Sequence, residues 1–236
     1  MQLDAGTLAD FYETPMGQIA RRQIMRRLRA LWPGAAGQRV LGYGFAVPYL
    51  KPFLGEAERV IALMPAQQGV VAWPDGKALS VLGEEDALPF PDALFDRVVM
   101  VHALEAAGRT RPLMRQVWRT LAPAGRLVIV APNRSSLWSQ IETSPFAQGQ
   151  PFSRSQLAQL LTDSLFVPES WDCALLFPPM RSRRLVRSGG AWERLGRRLW
   201  PGLAGVHLVE ATKTLYGAAN PVPAAQRKQV LAGAAG

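Results

Sequence analysis

The chain has 236 residues, 48% of them hydrophobic, and a formal net charge of +9 at pH 7. That composition supports one large domain with a sizeable core and argues against wholesale disorder. It contains no apolar run near the roughly 18 residues of a membrane-spanning helix, and Met1-Gln2-Leu3-Asp4-Ala5 lacks the basic and apolar regions of a secretory signal. A single cysteine, Cys173, rules out an internal disulfide, and with only His102 and His207 beside it no common zinc ligand set can form. A cytoplasmic protein is the expectation.

Ala20, Ile24, Leu28 and Leu31 recur at helical steps, so the spacing predicts an amphipathic helix over 16–31, with Arg22, Arg26 and Arg29 on its other face. Residues 1–35 thus form an N-terminal amphipathic segment, closed by Trp32-Pro33-Gly34. A strand over 39–43, a turn, and a helix over about 47–54 follow, then a second strand, Arg59 to Met64, that stops at Pro65. Short apolar runs separated by helical segments are the βα repeat of a parallel sheet covered on both faces.

Gly83 to Phe90 reads as a polar turn into an apolar anchor, Phe95 to Val101 as a buried strand, and Leu113 to Leu121 as a helix ended by Pro123-Ala124-Gly125. Arg126 to Ala131 is another central strand, stopped by Pro132-Asn133. A helix at 153–162 opens with Ser153 as N-cap. Ser170 to Phe177 and Gly205 to Thr212 close the sheet as an antiparallel pair, and Cys173, inside the first of these apolar runs, is expected to be a buried, inert thiol. The domain therefore runs over 36–217, with a basic insertion at about 178–201 and a flexible tail over 218–236.

Basicity is regional. Residues 18–32 carry +5 and residues 177–200 carry +6, which leaves −2 for the rest of the chain. Such clustering favours a polyanionic partner, although a merely solvated face explains it equally well. In the insertion, Trp192, Leu195 and Leu199 form an apolar stripe beside Arg194, Arg197 and Arg198. Three readings stay open: a nucleic-acid surface, an interfacial helix on a lipid surface, or a lid over the sheet edge.

Three blocks carry a family resemblance: Glu84 to Phe90, Phe95-Asp96-Arg97-Val98-Val99, and Leu113 through Ile129 with its glycine turn. With these, residues 38–135 resemble the class I S-adenosylmethionine-dependent methyltransferases of the type 11 group. The resemblance implies a Rossmann-like α/β fold, a mostly parallel sheet with helices on both faces and an antiparallel C-terminal edge.

It implies S-adenosylmethionine as cofactor and a set of positions to hold it. In the family the first strand ends in an acid followed by alternating small residues; here Gly42 stands at the acidic position, Gly44 matches a glycine, and Ala46 and Pro48 replace the next two. Pro48 disfavours helical backbone at Val47, yet it suits the first turn of the helix that follows. The family's ribose-binding acid at the end of the second strand is matched by Met64, and 63–72 contains no acid at all. Losing that charge-assisted pair weakens binding by about 1.5–3 kcal/mol, roughly ten- to a hundred-fold.

Glu84, or Glu85 beside it, occupies the family's adenine-side position. His102, just past the fourth strand, and Asn133 fall on the substrate side of the carboxyl edge, where open α/β sheets place ligands. A His between Val101 and Ala103 is just as readily a packed core residue. Two functions compete: a methyltransferase of undetermined acceptor, or a non-catalytic descendant of the fold. The second would bind RNA or a protein complex through arginines such as Arg183, Arg184, Arg197 and Arg198.

Overall fold

The computed structural model describes residues 3–74, 78–141, 144–177 and 200–214. Helix α1 (Ala5–Glu13) is capped by the Asp4 carboxylate, which accepts from the Thr7 N–H at 2.9 Å. Thr14 ends α1 and starts α2 (Pro15–Leu31) at once: its N–H returns to Phe11 O while its hydroxyl accepts from Gly17 N–H. Pro15 at the first helical position lacks only an N–H that would have had no helical partner. The stripe read from the sequence is the buried face: Ala20, Ile24 and Leu28 are fully enclosed.

The sheet has seven strands: β1 (Arg39–Gly44), β2 (Arg59–Pro65), β3 (Ser80–Gly83), β4 (Phe95–Val101), β5 (Leu121–Pro132), β6 (Phe166–Ala174) and β7 (Val206–Lys213). Their order is β3-β2-β1-β4-β5-β7-β6; β1 to β5 run parallel, and β7 lies antiparallel to both neighbours. The expected antiparallel pair is present. The last strand, however, does not take the edge: β7 inserts between β5 and β6. Cys173, on the edge strand β6, is accordingly half-buried instead of buried.

Side chains alternate between two cores. Val40, Val60, Val99 and Val128 face a layer made by α1 and α2, while Leu41, Leu63, Val98 and Leu127 face α4 (Thr110–Thr120) and α5 (Arg154–Asp163). Ser153 caps α5 through a full capping box with Gln156, as its position implied. A short helix, α3 (Val47–Leu50), follows β1 and passes into a 3-10 turn at 51–55; Pro48 does sit in its first turn. Asp96 fastens the lower end of the sheet, accepting from Arg39 N–H at 2.8 Å and pairing with its guanidinium at 3.2 Å.

Candidate active site at the carboxyl edge

The parallel strands β2, β1 and β4 end side by side, and the chain turns sharply after β1. Gly44 has φ +76°, and a Cβ there would collide with Val101 O and stand 3.1 Å from His102 O. Only glycine allows this left-handed turn to lie against the tip of β4. Gly42 is different: the space its side chain would fill belongs to Leu50 and Ala46, and a Cβ there would stand 2.5 Å from Leu50 Cδ1. Helix α3 therefore packs where the family's first acid would project.

Beyond β4, His102 is fully buried, with φ +50°. Its Nε2 lies 2.8 Å from the Tyr12 hydroxyl, which lies 2.9 Å from the Tyr49 hydroxyl. Glu105 Oε1 is 3.2 Å from His102 Nδ1, close but off the line of a hydrogen bond, so both buried Glu105 oxygens have no hydrogen-bond partner among the described residues. The carboxylate favours the proton on Nδ1, which makes Nε2 the acceptor of the Tyr12 O–H and leaves Tyr12 oxygen to accept from Tyr49. Burial, reinforced by the adjacent Tyr49, holds the Tyr12 phenol well above its ordinary pKa, and burial does the same for Tyr49. Both stay protonated at neutral pH.

Aromatic rings complete this enclosure. Tyr12 stacks on Phe45 at 6.0 Å, and Phe146 packs against His102 at 4.9 Å. From the β2 side, the buried Gln68 amide donates to His102 O at 2.7 Å, spanning the tip of β1. Met64 is fully buried, its sulfur accepting from Val71 N–H at 3.4 Å. Glu84 is exposed, whereas Glu85 is half-buried and accepts from Gly108 N–H at 3.1 Å and from the Gln67 amide. A cleft of about 240 Å³ opens there, lined by Gln67, Glu84, Glu85 and Arg109.

Of the residues singled out in the sequence, Gly44, Ala46, Met64 and His102 lie buried at the carboxyl edge of β1, β2 and β4, while Glu84 and Glu85 line the cleft beside it. Asn133 makes its hydrogen bonds elsewhere, donating to Gly202 O and Ala204 O. Arg183, Arg184, Arg197 and Arg198 lie outside the described residues, as do the stripe at 192–199 and the tail. Sequence reasoning missed Tyr12, Tyr49 and Glu105. The His102–Glu105 spacing just past a central strand was the available signal; nothing local tied Tyr12 to a residue ninety positions away.

A seven-stranded sheet of this order, with a glycine turn after its first strand, defines a Rossmann-like methyltransferase fold. A family model described as "Methyltransferase domain" matches residues 41–129. Among solved structures, a SAM-dependent methyltransferase from Archaeoglobus fulgidus is 21% identical, with TM-score 0.59 over 82% of this chain and 94% of that one. An S-adenosylmethionine-dependent methyltransferase from Mesorhizobium loti is 18% identical, with TM-score 0.57 over 80% and 96%.

A demethylmenaquinone methyltransferase of Deinococcus radiodurans is 32% identical over 136 residues, 55% of each chain. An uncharacterized protein of Mycobacterium tuberculosis is 27% identical over 191 residues, 76% of this chain and 64% of that one. The chain thus spans between half and two thirds of these curated relatives. Residues 41–129 are similar to a methyltransferase domain, and the fold is that of S-adenosylmethionine-dependent methyltransferases, which implies S-adenosylmethionine as the cofactor.

The chain's residues meet that cofactor unevenly. The Gly44 turn supplies the tight bend after β1, with the space at its Cα filled by Val101 O and Ala103. The end of β2 does not fit a ribose, because Met64 offers a buried thioether already engaged by Val71 where a carboxylate would accept two hydroxyls.

Proposed function

We propose that the chain is an S-adenosylmethionine-dependent methyltransferase that holds its cofactor at the carboxyl ends of β1, β2 and β4. The glycine turn at Gly44, at the tip of β1 where the strand order reverses, is the observation that carries this reading, since open α/β sheets bind ligands at such a switch point. Gly44 and Ala46 line the turn and Glu84 or Glu85 serves the adenine side; Gly42 contributes by admitting α3. The cofactor supplies an already activated methyl group, so the protein's task is mainly alignment and exclusion of water. His102, with its proton held on the Glu105 side, accepts the Tyr12 O–H at Nε2 and so ties α1 to this edge.

The demethylmenaquinone methyltransferase shares only 55% of its length with this chain, so its acceptor is not transferred. For a polyanionic partner, the support within the described residues is Arg21, Arg22 and Arg26, exposed together on α2, whereas Arg27 and Arg29 turn to Asp172 and Glu56. Calorimetric titration with S-adenosylhomocysteine tests the main reading. Binding is expected, weakened roughly ten- to a hundred-fold by the missing ribose carboxylate. Silence at millimolar ligand, in protein shown to be folded, would refute it.

A further inference from the structure

A second opening lies at the same edge of the sheet, displaced toward β6. A cleft of about 430 Å³, within the size range of small-molecule sites, is bordered by Asn133, Arg154, Trp171, Asp172, Cys173 and His207. The topology explains the grouping. Asn133 follows β5, His207 stands opposite both Ala131 and Cys173 in the β5-β7-β6 register, and Arg154 opens α5 above Trp171. None of these side chains shares a hydrogen bond with the Tyr12–His102 cluster.

The chemistry of the walls is asymmetric. The Arg154 guanidinium lies 4.7 Å over the Trp171 ring, which steadies a long side chain without neutralising it. Among the described residues no carboxylate pairs with Arg154. His207 is half-buried, and its Nε2 is enclosed with no hydrogen-bond partner among the described residues. Burial, aided by Arg154, pushes its pKa down to about 4, so it is a neutral group at physiological pH. Asn133 is committed to the wall, its oxygen accepting from Ser135 N–H and its amide donating to Gly202 O and Ala204 O. Asp172 is committed too: Oδ1 accepts from Cys173 N–H, and Oδ2 lies 3.7 Å from Arg27.

What remains to meet a ligand is one cation, one neutral imidazole and an apolar floor. We infer that this cleft binds a small carboxylate with an apolar body, the head between Arg154 and His207 and the body along Trp171 and Cys173. A dianion would find a single cation and the negative Asp172 nearby; a neutral ligand would leave Arg154 uncompensated. The inference stands independently of the methyltransferase reading.

Phenylacetate, titrated into the full chain, is the probe, with phenylacetamide as its neutral isostere. Binding is read by calorimetry and by the ring signals of the two histidines in NMR spectra, assigned with His207→Gln. The expected result is movement of the His207 signals with His102 unmoved, and affinity at least tenfold greater for the acid than for the amide. Arg154→Gln, at an exposed position, should weaken phenylacetate at least tenfold. Absence of heat and of any His207 shift at millimolar phenylacetate would overturn the inference. So would equal affinity for the amide, or undiminished binding by a folded Arg154→Gln. The amide comparison uses the unaltered chain, so it decides the matter even where the substitution unsettles folding.

Discussion

Replacing Tyr12 by Phe isolates the polar link that ties α1 to the carboxyl edge. The ring contacts survive, including the 6.0 Å stack on Phe45, while one oxygen disappears. That oxygen serves two partners, His102 Nε2 and the Tyr49 hydroxyl, on side chains with no exposed surface. Each stranded group costs about 1–3 kcal/mol, partly offset because the Tyr12 hydroxyl no longer needs burying, which leaves a net loss of about 2–4 kcal/mol. In a chain of this size that lowers Tm by roughly 5–15 °C. Tyr49→Phe removes only the outer bond and leaves Tyr12 on His102, so its loss should be about 1 kcal/mol. Urea unfolding followed by circular dichroism measures both. A Tyr12→Phe loss below about 0.5 kcal/mol, or equal losses in the two variants, would refute the reasoning.

Gly44→Ala combines a left-handed backbone with a Cβ driven against Val101 O, and should cost about 2–4 kcal/mol in the same assay. Met64→Glu buries a carboxylate at the ribose position and should destabilise the free protein by about 3 kcal/mol or more. Saturating S-adenosylhomocysteine should raise the Tm of that variant more than that of the parent; an equal rise would speak against a ribose at β2. His207 has its pKa lowered from 6.5 to about 4, so the unfolded chain takes up its proton first as pH falls. Stability should therefore drop between pH 6.5 and 4 by about 1–2 kcal/mol after allowance for solvent screening, and His207→Gln should remove that part of the slope. Glu210 accepts from Trp32 Nε1 at 2.9 Å and from Arg126 at 3.1 Å while almost fully buried. Glu210→Gln should cost about 2 kcal/mol in urea unfolding, because a neutral amide cannot offset the Arg126 charge.

Apart from α1 and the short β3, which no local pattern marked, the order of elements, both covered faces of the sheet and the glycine turn follow from local patterns: the helical stripe on α2, the apolar runs at β1, β2, β4 and β5, and Ser153 before α5. Such periodicities report which side of a helix or strand is buried, so sequence alone was sufficient for them. The missing ribose acid was equally legible.

Tertiary structure decided the rest. That β7 slips between β5 and β6 depends on which edges meet across the fold, and no residue on β7 announces it. The contact of Tyr12 with His102 joins the first helix of the chain to the tip of its fourth strand, and Gln68 reaches the same residue from β2. Arg154, Trp171 and His207 form a cleft only because three separated segments end at one height. Spacing along the chain encodes which face a side chain takes, whereas the partners it meets there are set by how distant elements pack.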